Sequence, residues 1–95
     1  MVHVMASIVV LPEHAAAAKG MLIGLAATSR SEAGCISYEL FQRPDAPNVF
    51  QTVEQWRAQA DVDAHMATPH VGAAIAAAMP MLASPLSVHG FAKIG

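Results

Sequence analysis

In residues 2–10 almost every side chain is apolar, and several are β-branched. Such a stretch is typical of a β-strand that is buried on both faces. The strands predicted at residues 35–42 and 86–94 also carry apolar side chains on both faces. The helices of a short chain can cover only one face of a sheet, so we expect a second subunit to cover the other face.

The composition supports the same expectation. Hydrophobic residues make up 55% of the 95 residues and charged residues 13%, whereas ordinary soluble domains have roughly 25% charged residues. A domain of this size buries only about two-thirds of the surface of its unfolded chain, so a monomer would expose part of the apolar excess. The high hydrophobicity excludes intrinsic disorder. The formal net charge of −2 leaves no basic surface for nucleic acid.

The chain lacks the sequence signals of export and of membrane insertion. Its apolar start has no basic residue before Lys19, unlike a secretory signal. The longest weakly polar stretch, residues 71–83, contains Pro80 and is shorter than the roughly 20 residues of a membrane span. Cys35 is the only cysteine, which excludes an internal disulfide and a four-thiolate zinc site. We expect a cytoplasmic protein that binds neither membrane nor nucleic acid.

Apolar periodicity and turn residues predict seven elements in a single domain, residues 1–95. They are a strand at 2–10, a helix at 12–30, strands at 35–42 and 49–56, helices at 58–66 and 69–79, and a strand at 86–94. Thr68 and Pro69 predict the N-cap and the first position of the third helix. The order β-α-β-β-α-α-β is typical of the ferredoxin-like α+β fold, an antiparallel sheet with helices on one face.

Three stretches resemble the motifs of one family. Residues 29–40 are S-R-S-E-A-G-C-I-S-Y-E-L, similar to S-R-x-E-x-G-C-x-x-Y. Residues 50–56 are F-Q-T-V-E-Q-W, similar to F-x-x-x-E-x-W, and residues 63–70 are D-A-H-M-A-T-P-H, close to A-H-x-x-T-P-H. Their order and spacing match as well. The chain therefore resembles the antibiotic biosynthesis monooxygenase (ABM) family over nearly its whole length.

The resemblance implies a homodimer of ferredoxin-like subunits whose sheets pack together, a dimeric α+β barrel. Some members of the family oxidise polycyclic phenols or hydroquinones with molecular oxygen and use neither metal nor flavin, and others degrade haem. Some phenol-oxidising members carry an asparagine four residues before the strand tryptophan, where this chain has Thr52. Haem-degrading members carry a histidine and a tryptophan where this chain has Ile75 and His65. Haem degradation is therefore disfavoured, and we expect no cofactor.

His65 and His70 are the residues best suited to acid–base chemistry, because imidazole titrates near neutral pH. We expect His65 to be the catalytic base, oriented by Asp61 four residues earlier on the same helix. The alternative is that His65 only caps the junction of two helices. His70 is a further candidate for substrate binding, or else an exposed side chain. We expect no metal site, since no third ligand has a metal-like spacing.

Three residues of the predicted sheet are candidates for substrate binding. Trp56 offers a flat wall for an aromatic ligand, and the resemblance places it near the cavity; the alternative is core packing. The hydroxyl groups of Tyr38 and Thr52 are candidate hydrogen-bond donors to a substrate oxygen. The Tyr38 side chain faces either the cavity or the subunit contact, and the sequence leaves both open.

The neighbouring polar residues have structural interpretations. Glu54 either takes part in proton transfer or forms a salt bridge with Arg30 or Arg57, and we expect the salt bridge. Arg30 and Glu32 are expected to hold the turn between the first helix and the second strand. Cys35 is expected to be a small packed residue instead of a nucleophile, because no neighbouring cation lowers its pKa.

Two functions are compatible with such a dimer. The first is a cofactor-independent monooxygenase that oxidises a hydroquinone or another polyhydroxy-aromatic compound with O2. The second is a dimer that binds a small hydrophobic ligand without converting it. A purely structural dimer, the third possibility, predicts that side chains fill the space beneath Trp56.

Overall fold

The computed structural model describes all 95 residues. Its elements are β1 (Val2–Val9), α1 (Ala15–Arg30), β2 (Cys35–Arg43), β3 (Ala46–Trp56), α2 (Gln59–Met66), α3 (Pro69–Ala78) and β4 (Ser87–Phe91). The strands form one antiparallel sheet in the order β2-β3-β1-β4. The predicted order of elements and the ferredoxin-like α+β fold are confirmed. Each of the helices is too short, or not apolar enough, to cross a membrane.

The main core lies between the helices and one face of the sheet. Alternate residues of a strand point to the same face, and β3 follows this rule: Phe50, Thr52, Glu54 and Trp56 are all buried. β1 and α1 add the buried residues Val4, Ala6, Ile8, Ala18, Leu22, Ala26 and Ser29. The shared face predicted for residues 50–56 is therefore confirmed, and it contains two polar side chains.

The third helix begins as its sequence predicts. Thr68 is the N-cap of α3, and its hydroxyl oxygen accepts a hydrogen bond from the backbone N–H of Val71. Pro69 occupies the first position of the helix, where its missing N–H leaves no hydrogen bond unmade. The same cap places His70 in the first turn of α3, next to the end of α2.

Three boundaries differ from the sequence prediction by three residues each, and the others agree to within one residue. β3 begins at Ala46 because Arg43 pairs with Ala46, which leaves only Pro44 and Asp45 in the turn. Residues 12–14 form a 3₁₀ turn before α1. β4 ends at Phe91 instead of continuing to residue 94, because Phe91 pairs with His3 and β1 supplies almost no further backbone beyond that pair.

The turn between α1 and β2 depends on Gly34, which has a φ of +89°. Glycine adopts this left-handed conformation at little cost. The backbone carbonyl of Gly34 accepts a hydrogen bond of 2.8 Å from the N–H of Arg57. A Cβ atom on Gly34 would overlap the carboxyl group of Asp61. The turn is therefore packed closely against α2 and fixes the position of Glu32, two residues earlier.

The second face of the sheet has no cover within the chain, and we call it the open sheet face. Met5 and Val53 form a cross-strand pair on this face and are only partly buried. The side chains of Phe41 and Phe91 are half exposed. Only 17 of the 95 residues are buried, although 55% of the chain is hydrophobic. Much of the apolar surface thus remains available for a second subunit.

Candidate active site

A cavity of about 70 Å³ lies between the helices and the sheet. All three helices and all four strands contribute to its wall, and 15 of its 18 lining residues are hydrophobic. Holding one water molecule requires only about 10–15 Å³ of such volume. The space next to the helices is therefore open. Trp56 does not line it, so this cavity does not test the purely structural hypothesis, which concerns the space beneath Trp56.

The polar lining residues of this cavity are Thr52, Glu54 and His65. Tyr38 also lines the cavity. Of the residues that the sequence nominated, His65, Tyr38 and Thr52 are therefore brought together around one space. Trp56 and His70 do not line the cavity.

His65 is buried, with 4% of its surface exposed, and is anchored by Glu32. Its Nδ1 atom lies 2.6 Å from Oε2 of Glu32. The same carboxylate oxygen lies 3.0 Å from Nε2 of His70. Glu32 comes from the turn after α1, His65 from the end of α2 and His70 from the start of α3. One carboxylate thus joins the two histidines that the sequence singled out.

The Glu32 contact determines which nitrogen of His65 is free. An ionised carboxylate can only accept hydrogen bonds, so the proton of the neutral imidazole lies on Nδ1 and the lone pair lies on Nε2. Nε2 has no hydrogen-bond partner in the chain. The only fully buried side-chain N or O atom without a partner is Ser29 Oγ. Nε2 is therefore not sealed from accessible space, and His65 is one of the residues that line the cavity.

The orienting residue that the sequence nominated for His65 was wrong. Asp61 forms a salt bridge of 3.1 Å with Arg57, four residues earlier in the chain. Glu32, expected only to hold a turn, contacts His65 instead. Helical spacing pointed to Asp61 because it detects neighbours on one helix, whereas Glu32 is 33 residues away along the chain.

Glu54 is buried, with 3% of its surface exposed, and forms no salt bridge. Its Oε2 atom accepts a hydrogen bond of 2.7 Å from the Thr52 hydroxyl, and its Oε1 atom accepts one of 3.0 Å from Nε1–H of Trp56. The expected salt bridge with Arg30 or Arg57 is therefore wrong. The side chains of both arginines have other acceptors, the Tyr38 carbonyl and Asp61.

The same hydrogen bonds determine whether the Thr52 hydroxyl can donate to a substrate. Its hydroxyl proton is donated to Glu54, and its oxygen already accepts a hydrogen bond of 2.9 Å from the backbone N–H of Ala6. A hydroxyl has only one proton to donate. The expectation that Thr52 donates to a substrate oxygen is thus not met in this arrangement, and Thr52 instead positions Glu54.

Trp56 and His70 lie behind the cavity wall. Trp56 is fully buried, and its ring packs against the His65 ring at a centroid distance of 4.5 Å. The strand ends at Trp56, and α2 folds back over it, so His65 comes between its ring and the cavity. His70 faces Glu32 and is partly exposed. Trp56 contacts His65 and His70 contacts Glu32, but neither residue forms the surface that a ligand in the cavity would touch.

Tyr38 points to the helices, away from the open sheet face. It is 4% exposed, its ring centroid lies 5.9 Å from that of His65, and its hydroxyl makes no hydrogen bond within the chain. Burial, followed by the negative charge of Glu54, raises the pKa of Tyr38 well above its ordinary value of 10.0. The cavity therefore opposes the formation of a second negative charge beside Glu54.

This shift predicts a loss of stability at alkaline pH. Because the folded state disfavours the tyrosinate, the unfolded state ionises first, at a pH of about 10. Above that pH the free energy of unfolding should fall by about 1.4 kcal/mol per pH unit. Tyr38→Phe, which cannot ionise, should lack this slope. Denaturant titrations from pH 9 upwards test this, and identical slopes in the two proteins would contradict it.

Glu32, His65 and His70 also offer the ligand types of a metal site. One carboxylate oxygen and two imidazole nitrogens lie within 4.8 Å of one another, and such donors suit zinc and iron. The expectation of no third ligand was based on regular spacing along the chain, which does not reveal Glu32 because it lies on a distant element. Cys35 is not part of this group, and burial, with the charges of Glu32 and Glu54, raises the pKa of its thiol.

Comparison with known proteins supports the family assignment. The sequence model of the antibiotic biosynthesis monooxygenase family matches residues 1–77. The chain belongs to this family. PA3566 from Pseudomonas aeruginosa is 30% identical, with a TM-score of 0.90 over 99% of this chain and 94% of that one. Rv0793 from Mycobacterium tuberculosis is 26% identical, with a TM-score of 0.90 over 99% of this chain and 95% of that one.

Two further relatives match only in part. YcnE of Bacillus subtilis, which carries the name of a monooxygenase, is 33% identical over 60 residues, 63% of this chain and 63% of its own length. Protein sll1783 of Synechocystis is 37% identical over 60 residues, 63% of this chain and 41% of its own. The aligned segment thus spans less than two-thirds of each of these relatives.

Proposed function

We propose that this ABM protein is a cofactor-independent monooxygenase that oxidises a hydroquinone or another polyhydroxy-aromatic compound with O2. The observation that carries the proposal is the His65–Glu32 pair: an imidazole in an apolar cavity, held through Nδ1 by a carboxylate and left with a free Nε2 lone pair. A carboxylate that orients a histidine in this way is a recurrent device of general base catalysis.

The chemistry requires a base and a dry cavity. A phenol becomes a good electron donor to O2 once it loses its proton, and Nε2 of His65 can accept that proton. The apolar lining excludes water from the oxygenated intermediate. Hydroxylation of a hydroquinone to a hydroxyquinone inserts one oxygen atom into the ring and releases the other as water. The substrate supplies all four electrons, so the overall reaction needs no external reductant.

The other nominated residues have supporting positions in this proposal. Tyr38 offers its hydroxyl to a substrate oxygen from the wall of the cavity. The Trp56 ring packs against the His65 ring, and one oxygen of the Glu32 carboxylate contacts both His65 and His70. The proton moves from the substrate to His65 inside the cavity, so the total charge of cavity and substrate stays the same. This matters because a net gain of negative charge would be opposed by Glu54.

An oxygen electrode tests the proposal directly. We expect catalytic oxygen uptake with at least one compound of a series of hydroquinones and anthrones, and one labelled oxygen atom in the product when ¹⁸O2 is supplied. Dialysis against a chelator should leave the rate unchanged, which separates the hydrogen-bonded arrangement of Glu32, His65 and His70 from a metal-loaded one. No oxygen uptake with any member of the series would contradict the proposal.

A second candidate function is a dimer that binds a small hydrophobic molecule without converting it. The commitment of the Thr52 hydroxyl to Glu54 favours this candidate, because the cavity then has one donor fewer for a substrate anion. A ligand that raises the Tm in air, while no oxygen is consumed and no product forms, would select this function over the monooxygenase.

We further propose that a second copy of the chain covers the open sheet face. Val53 lies on this face between Met5 and Glu39 of the neighbouring strands. A lysine there would lose its hydration at the subunit contact, a cost that pairing with the exposed Glu39 does not offset, so Val53→Lys should weaken association about tenfold or more and give a monomer at micromolar concentration. Ile23→Lys on the outer side of α1, where the native side chain is 53% exposed, is the matched control. Sedimentation velocity should show a dimer for the wild-type chain and for this control. A monomeric wild-type chain would contradict the proposal.

A further inference from the structure

We infer that Glu54 determines which guests the cavity accepts: neutral aromatic compounds that bring a hydrogen-bond donor are bound, and anionic compounds of the same shape are rejected. The inference rests on the proposed function in one respect, namely that the cavity is the substrate site. It adds a specificity-determining residue and narrows the substrate class.

The hydrogen-bond network leaves Glu54 with unused capacity. Each carboxylate oxygen can accept about two hydrogen bonds, and each oxygen of Glu54 accepts only one from the chain, from Thr52 and from Trp56. Glu54 lines the cavity, so a guest in the cavity can supply a further donor. A phenolic hydroxyl is a suitable donor, since hydrogen bonds to charged acceptors are stronger than neutral ones.

The charge of Glu54 is also uncompensated. It forms no salt bridge, although it is 3% exposed. Burial of a carboxylate without a cation is costly, and a donor from the guest offsets part of that cost. An anionic guest would place a like charge in the same apolar space, where the repulsion is weakly screened. The Glu54 side chain therefore strengthens the binding of neutral donors and weakens the binding of anions.

Tyr38 shows how a phenol responds to this environment. It is the direct cross-strand neighbour of Glu54, and its phenol group lines the same cavity. Burial and the charge of Glu54 raise its pKa, and so keep it neutral. A guest phenol in the cavity is subject to the same two effects. It therefore enters as the neutral donor and gives up its proton only to a base inside the cavity.

The two acceptors in the wall favour guests with two hydroxyl groups. Nε2 of His65 can accept a hydrogen bond from one hydroxyl, and Glu54 can accept one from another. A structural role alone, in which Glu54 only ties Thr52 to Trp56, would not favour any class of guest. Discrimination between guests is therefore the property that separates this inference from a purely structural role of Glu54.

The test compares three compounds of nearly equal shape at pH 7 and without oxygen. They are 2,5-dihydroxybenzamide, which is neutral, 2,5-dihydroxybenzoate, which is anionic, and 2,5-dimethylbenzamide, which has no phenolic donor. Calorimetric titration of the wild-type protein should give a dissociation constant for the dihydroxyamide that is about tenfold or more below those of the other two. This comparison needs no variant, so it does not depend on the folding of one.

The variant Glu54→Gln assigns the preference to the side chain. It should bring the dissociation constants of the amide and the carboxylate to within about threefold of each other. Glu13→Gln removes the same charge from an exposed position outside the cavity wall and should keep the wild-type preference. Equal or tighter binding of the carboxylate by the wild-type protein would overturn the inference, as would a preference unchanged in Glu54→Gln, or no binding of the amide.

The assay is independent of turnover. If the amide is preferred and Glu54→Gln removes the preference, the inference is supported whether or not oxygen is consumed in air. The absence of oxygen uptake by a protein that binds in this way would contradict the monooxygenase proposal alone. Binding without the preference, accompanied by oxygen uptake, would contradict the inference alone.

Discussion

His65→Gln should lower the rate of oxygen uptake with a hydroquinone about a hundredfold, because a positioned general base contributes roughly 10²–10⁴ to the rate. Glutamine has a similar size and can still donate a hydrogen bond to Glu32, but it has no basic nitrogen. The fold should survive, since His65 contributes one ring to a wall that α1, β1 and β3 also form. Circular dichroism and the Tm establish this before the rates are compared.

Two further variants make the result specific. Glu32→Gln keeps a hydrogen bond to His65 but removes the charge that favours the correct orientation, so its rate should fall less, by about tenfold. His14→Gln changes a histidine that neither lines the cavity nor makes a side-chain hydrogen bond, and it should react at the wild-type rate. An unchanged rate in His65→Gln would remove His65 from the mechanism.

Gly34→Ala should lower the free energy of unfolding by about 2–3 kcal/mol. The φ of +89° is costly for any residue with a Cβ atom, and the added methyl group would also overlap the carboxyl group of Asp61. For a domain of this size each kcal/mol corresponds to about 4–8 °C in Tm. We therefore expect a fall of roughly 10–20 °C by differential scanning calorimetry, and a displaced Glu32 with a lower rate of oxygen uptake.

The matched control lies on α1. Gly20 has a negative φ, and a Cβ atom built on it meets nothing within 4 Å. Gly20→Ala should therefore stabilise the protein by about 0.5–1 kcal/mol, the ordinary gain of alanine over glycine within a helix. If both variants change the stability in the same direction and by similar amounts, the explanation based on the conformation of Gly34 is incorrect.

Short sequence patterns correctly predicted which side chains share a strand face and where the third helix begins. Alternation along residues 50–56 placed Phe50, Thr52, Glu54 and Trp56 on one face, and all four are buried there. The Thr68–Pro69 pair predicted the start of α3 at the correct residue. These features depend on neighbours within a few positions, so the sequence contains what is needed to infer them.

The contacts that define the candidate site were less accessible from the sequence. Glu32 and His65 meet across 33 residues, through a turn whose geometry depends on Gly34. The salt bridges proposed for Glu54 failed because pairing was inferred from charge, whereas Glu54 bonds to the Thr52 and Trp56 side chains two residues away on either side of it along β3. The position of Trp56 behind His65 depends on how α2 folds back over the sheet, which no spacing within one element reveals.

A crystal structure of the protein with 2,5-dihydroxybenzamide, prepared without oxygen, tests the central claim most directly. We expect the ring between the helices and the sheet, with one hydroxyl oxygen within about 3.2 Å of Nε2 of His65 and the other in hydrogen-bonding reach of Glu54. A wider cleft on the open sheet face, beside His3 and Phe91, is the competing location. A ring bound in that cleft, with the cavity beside His65 vacant, would contradict the account.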